Sequence, residues 1–166
     1  MKRINLLAAI VLFLSATICF AGDNDDLLSM KKQQWITVEP VGTVVIGNGK
    51  HIDIKLHFRV NDGFHINSHT PKNEALIPTS LRIISSKYLK VGNVKYPAGK
   101  AFALPFDPDE KLDVYSGDVV LNVPITAKSA KPGDYQVTAE IQYQACNDRS
   151  CFPPRTLWVE WTVTVK

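Results

Sequence analysis

Cysteine is scarce in this chain, with three in 166 residues. No Cys-x-x-Cys pair occurs, so the two-pair thiolate sites that close around structural zinc are excluded. Charge of one sign is lacking too: 19 Lys and Arg stand against 16 Asp and Glu. So balanced a chain presents no field to a nucleic-acid backbone, and nucleic acid is not an expected partner. Beyond the N-terminus, no apolar run approaches the roughly 20 residues of a membrane-spanning helix. Sustained helical spacing is missing, which argues against bundles and strand–helix alternation. There are no internal repeats and no low-complexity tracts, and the length suits one domain.

What is present begins with MKRINLLAAIVLFLSATICFA. Lys2 and Arg3 precede an apolar run over residues 6–20, broken by Ser15 and Thr17, and Ala21 stands before the polar GDNDD. This is the layout of a secretory signal peptide, with cleavage expected after Ala21. Lipidation at Cys19 is the competing reading, and Ile18 stands where that processing wants a small residue. Removing residues 1–21 leaves 145 residues, 17 Lys and Arg against an unchanged 16 Asp and Glu, and two cysteines. The formal charge falls from +3 to +1. The mature form is expected to be exported and not membrane-spanning. An oxidising compartment lets the remaining pair close. Residues 22–34 read as a polar leader, and residues 35–166 as the domain.

That domain reads as strands. In HIDIKLHFRV, Ile52, Ile54, Leu56 and Phe58 alternate with Asp53, Lys55, His57 and Arg59. Period two puts one face inward and the other outward. GNGK (47–50), NDG (61–63) and KPGD (131–134) are turn sequences. LRIIS, YLKVGNVKYP, VVLNVPITA, DYQVTAEIQYQA and TLWVEWTVTVK supply further strands, while residues 68–80 and 98–111 read as long loops. Many short strands separated by turns predict an all-β sandwich of immunoglobulin-like type. Trp35, Tyr135 and Tyr143 are expected as packing residues. Trp158 and Trp161 are three apart, so one is expected inside and the other outside.

Cys146 and Cys151 enclose Asn-Asp-Arg-Ser within YQACNDRSCFPP. Alternation puts Tyr143 and Ala145 on one face and Gln144 and Cys146 on the other. The chain then reverses, setting the cysteines roughly opposite each other at a hairpin mouth, within reach of a disulfide. Closing so short a loop contributes only about 2 kcal/mol in the chain-entropy model. A bond confined to a hairpin tip can open without unfolding the domain, as exchange requires. A structural disulfide in a binding module and a redox-active pair both remain open. Zinc would need two more ligands, and the His65-x-x-x-His69 spacing does not lie on a helix; soft thiolates would suit Cu(I) better. No helix N-terminus is available to depress a cysteine pKa, so activation falls to Arg149 or to His65 as a proton acceptor. His51, His57 and His69 read as surface residues. Asp107, Asp109 and Glu110 form an acidic stretch; over the cysteines it would raise thiol pKa values. Pro153 and Pro154 end the turn and keep that edge from pairing.

Three segments resemble the N-terminal periplasmic domain of the DsbD thiol:disulfide interchange proteins: VNDGFHIN (60–67), KLDVYSGDVVLNVPI (111–125) and, most specifically, IQYQACNDRSCFPPRT (141–156). The resemblance implies an immunoglobulin-like sandwich with a reversible disulfide at one end, working without a cofactor. It implies that Cys151 forms the mixed disulfide and that Cys146 resolves it. Electrons would come from a thioredoxin-like protein and pass to periplasmic thiol proteins, including disulfide isomerases and those of cytochrome c maturation. A cap loop bearing an aromatic residue shields the pair in that family. Here it falls on residues 102–110, with Phe106 as the cap and Phe102 behind it. Flanking aromatic positions fall on His65 and Asn67. No membrane or thioredoxin-like domain is expected beyond Lys166, so the membrane electron donor is expected to be separately encoded.

Overall fold

The computed structural model describes residues 34–104 and 107–166. The expected signal peptide (1–21), Cys19, most of the expected polar leader and Phe106 lie outside the described residues. Among the described residues twelve strands follow one another: β1 (Ile36–Val38), β2 (Val44–Ile46), β3 (His51–Val60), β4 (His65–Asn67), β5 (Ser80–Ser85), β6 (Leu89–Val91), β7 (Lys100–Leu104), β8 (Asp107–Tyr115), β9 (Asp118–Ala127), β10 (Gly133–Tyr143), β11 (Ala145–Cys146) and β12 (Arg155–Val165). Among the described residues no helix is long and apolar enough to cross a membrane.

Two four-stranded sheets, in the orders β1-β3-β9-β6 and β2-β12-β10-β5, form the sandwich. All pairings are antiparallel except β2 with β12. The alternation in β3 works as the sequence predicts: Ile54, Leu56, Phe58 and Val60 are buried. Leu56 lies opposite Leu121 of β9, and Ile54 opposite Val123. From the other sheet, Val137, Ala139 and Ile141 of β10 and Trp161, Val163 and Val165 of β12 complete the same core. Each fully buried large apolar side chain contributes about 1.5–3 kcal/mol. Trp161 is the inward member of its pair, while Trp158 is exposed. The fold is therefore the expected all-β, immunoglobulin-like sandwich.

A third four-stranded sheet has the order β11-β4-β8-β7. It is built from chain that leaves the two main sheets. β3 turns through Asn61–Gly63 into β4, where the Phe64 amide donates to the Asn61 carbonyl at 3.1 Å and Gly63 has φ 81°. β8 passes through Gly117 (φ 65°) into β9, and β10 gives way to β11 at Gln144. Such left-handed positions suit glycine, which has no Cβ to clash. Strands from both layers thus meet in one small sheet.

One expectation needs correction here. Within the stretch read as a loop, Lys100–Leu104 form β7 and β8 begins at Asp107, with Phe102 opposite Leu112. Prolines and acidic residues obscured the strands, yet Phe102 and Leu104 alternate with Ala101 and Ala103. Ladder pairing with β8 outweighs the weak local propensity, and a register shift between Ala103 and Leu104 absorbs the irregularity. The GNGK turn does form, its Lys50 amide donating to the Gly47 carbonyl at 3.0 Å. Its flanking strands do not pair with each other, because β2 joins β12 and β3 joins β1 and β9.

Candidate functional site

The cysteine hairpin forms one edge of the third sheet. Cys146 and Cys151 are antiparallel bridge partners joined by a disulfide, with Cα atoms 3.9 Å apart. The turn between them is made by Asn147. Its Oδ1 accepts from the Arg149 and Ser150 amides, both at 2.9 Å, and its own amide donates to the Ser150 carbonyl at 3.0 Å. An asparagine side chain mimicking a backbone turn in this way is a strong local organiser. The Phe152 amide donates to the Ala145 carbonyl at 2.8 Å. None of these bonds involves a sulfur atom.

The two cysteines differ sharply in access. Cys146 is 1% exposed, whereas Cys151 is exposed. Alternation alone does not distinguish the two, since it says which face a residue takes and not whether that face is covered. Both Ala145 and Cys146 are buried because the chain changes sheets at Gln144, which belongs to neither β10 nor β11. Cys146 then lies directly across from His65 of β4.

His65 is 3% exposed, with its ring 4.2 Å from that of Phe102. Cys146, His65 and Phe102 are thereby brought to one place. Among the described residues, His65 Nε2 is buried without a hydrogen-bond partner. Burial pushes the His65 pKa down, opposed by the nearby Asp148 carboxylate. The ring is therefore neutral near pH 7. His69 does not converge with it: its ring stacks on Tyr96 at 3.6 Å, and its Nδ1 meets the Thr79 carbonyl at 2.9 Å. Asn67 is wholly buried and donates to the Ile77 carbonyl at 3.0 Å and to Gln144 Oε1 at 3.1 Å. Arg149 is exposed on the turn. Tyr143 is a core residue whose hydroxyl accepts from the Trp35 amide at 3.4 Å; burial raises its pKa. The acidic stretch beyond Phe102 is β-strand, and of its carboxylates Asp109 is exposed.

The site includes residues that sequence reading did not single out. Phe152, next to Cys151, stacks on Trp35 with centroids 4.7 Å apart, and Phe64 lies 5.9 Å from Phe152. The Arg155 guanidinium sits 5.1 Å from the Trp35 ring. Each such aromatic pair contributes about 0.5–1.5 kcal/mol beyond burial. Gln144 Oε1 accepts from Asn67 and from the Ile77 amide, and its Nε2 donates to the Phe152 carbonyl. The aromatic after Asn-Asp-Gly and the aromatic after Cys151 were visible in the sequence; their meeting with Trp35 was not.

The depressed His65 pKa has a stability consequence. The unfolded chain takes up this proton at a higher pH than the folded one. His65-linked stability is therefore fully present above about pH 6.5, falls as pH drops through that value, and levels off below the lower folded pKa. His65→Phe, which keeps a ring against Phe102, is expected to flatten that fall. Urea unfolding at pH 8, 6.5 and 5 checks this; an equally steep fall in the variant would assign it to other groups.

The chain resembles known proteins at two levels. The family model for thiol:disulfide interchange protein DsbD, N-terminal, matches residues 32–162. Among solved structures, the reduced N-terminal domain of DsbD from Neisseria meningitidis is 18% identical, with a TM-score of 0.41, covering 65% of this chain and 74% of that one. A chain in the complex between the DsbD and PilB N-terminal domains of that organism is 17% identical, with a TM-score of 0.42, covering 65% and 73%. One from a type I cohesin–dockerin complex of Clostridium thermocellum is 16% identical, with a TM-score of 0.46, covering 80% and 100%. No curated protein matches the chain. The family match runs over nearly all of the sandwich and takes in the cysteine hairpin, His65 and the aromatic cluster, and on that match the chain belongs to the family of DsbD N-terminal domains.

Proposed function

We propose that this is an exported periplasmic domain that relays electrons through the Cys146–Cys151 disulfide, from a thioredoxin-like donor charged at the membrane to periplasmic thiol proteins. The unequal access of the two cysteines carries this reading. A donor thiolate reaches exposed Cys151, breaks the disulfide and forms a mixed disulfide, and Cys146 leaves as a thiolate that takes up a proton. The donor's second thiolate then releases Cys151, so two electrons have entered the pair. In the onward step the Cys151 thiolate attacks a target disulfide and displaces one target thiolate. Cys146 attacks Cys151 in turn, which frees the reduced target and restores the disulfide. Neutral His65, across the strand from Cys146, is suited to accept the thiol proton at that moment. Phe102 shields the buried side, in keeping with a cap built on β7. Disulfide isomerases and cytochrome c maturation proteins are the target class this family suggests, and residues 1–21 supply the export signal.

The test is the equilibrium potential of the pair in glutathione buffers, with the fold followed by circular dichroism. A potential of about −200 mV with an unchanged fold supports the relay. A potential below roughly −300 mV, or unfolding on reduction, assigns the bond a structural role in a binding module.

A further inference from the structure

We propose that Gln144 is a positioning residue for the cysteine pair, holding Cys151 opposite Cys146 after the disulfide has opened. The inference rests on the exchange reading above and adds what sets the poise of the pair. Gln144 is half-buried at the point where the chain leaves one main sheet for the third sheet. Its amide is fully oriented by its partners. The Ile77 amide, at 3.3 Å, can only donate, so it faces Oε1; the Phe152 carbonyl, also at 3.3 Å, can only accept, so it faces Nε2. Asn67 Nδ2 completes the set on Oε1 at 3.1 Å, and the Asn67 amide donates to the Gln144 carbonyl at 3.3 Å.

The consequence lies in which bonds reach where. The Asn147–Ser150 and Ala145–Phe152 bonds close the hairpin on itself. The Gln144 side chain instead ties the residue after Cys151 to β4 and to Ile77 in the following loop. In the oxidised form the disulfide already holds the return arm. In the dithiol form the arm depends on these remaining contacts. The closer they keep the two thiols, the higher their effective concentration and the more readily the disulfide re-forms. Loosening the arm therefore favours the dithiol and makes the potential less negative.

Gln144→Met keeps the length of the side chain and removes its three side-chain hydrogen bonds, leaving the backbone bond from Asn67 in place. Its disulfide-formation constant against glutathione is expected to fall about tenfold, a shift of roughly 30 mV for a two-electron couple. A merely structural role would destabilise the oxidised and reduced forms equally and leave the potential where it was. Should Q144M fail to fold, Q144E answers the same question: at pH 7 its carboxylate still accepts from Asn67 and Ile77 but cannot donate to Phe152, and the same direction of shift is expected. A wild-type pair that exchanges with glutathione, with an unmoved potential in the folded variant, overturns this inference alone. A wild-type pair that glutathione cannot reduce overturns the exchange reading and this inference with it.

Discussion

Cys146→Ala is expected to trap disulfide partners as a stable mixed disulfide, whereas Cys151→Ala is expected to lose exchange altogether. The asymmetry follows from access. Cys151 is exposed at the hairpin edge, so its thiolate meets an incoming disulfide directly. Cys146 is 1% exposed on a strand paired with β4, so its thiol meets a partner only after local opening. An opening that costs a few kcal/mol slows capture by about 100-fold or more. Neither substitution should unfold the domain. The loop closed by the bond is short, and its loss removes at most about 2 kcal/mol. Asn147, Ala145 and Phe152 keep the hairpin through bonds that do not involve sulfur. Non-reducing electrophoresis after mixing each variant with an oxidised thioredoxin-like protein, with circular dichroism as the control, reads both outcomes. Equal trapping by the two variants would sink the assignment of Cys151 as the attacking residue.

The largest effect on stability is expected at Trp35. It is 1% exposed, stacks on Phe152, lies 6.3 Å from Phe64 and carries the Arg155 guanidinium over its ring. Trp35→Ala leaves a cavity the size of an indole, and such truncations destabilise by about 3–5 kcal/mol. Marginal stability makes that a large fraction of the total, with a Tm lowered by roughly 10–20 °C. Trp35→Phe keeps a ring against Phe152 and is expected to recover most of the loss. Urea denaturation of both variants measures it, and a loss under about 1 kcal/mol in W35A would remove Trp35 from the core. Because Phe152 follows Cys151, W35A is also expected to loosen the seat of the cysteine hairpin.

The family resemblance was legible because its motif is local: two cysteines, a short loop, an aromatic and two prolines fall within sixteen consecutive residues. The β3 alternation was legible for a similar reason. Covalent geometry turns successive side chains to opposite faces, so Ile54, Leu56 and Phe58 announce their own burial. The same rule separated Trp158 from Trp161. It did not reveal that Ala145 and Cys146 are both buried, since both faces are covered where the chain passes from β10 to β11. It also gave no hint that His65 is enclosed, since a lone histidine in a strand reads equally well as a surface residue.

The sequence by itself determined the all-β class, the hairpin carrying the cysteine pair and the family, since these rest on strand period, turn chemistry and a contiguous motif. Only the tertiary structure decided which cysteine faces outward, that residues 100–104 are a strand placing Phe102 on His65, that Trp35 backs Phe152, and that Gln144 ties the hairpin to β4. Each of those depends on contacts between residues distant along the chain. Which strand comes to cover a given side chain is set by the packing of the whole sandwich, and no local pattern encodes it.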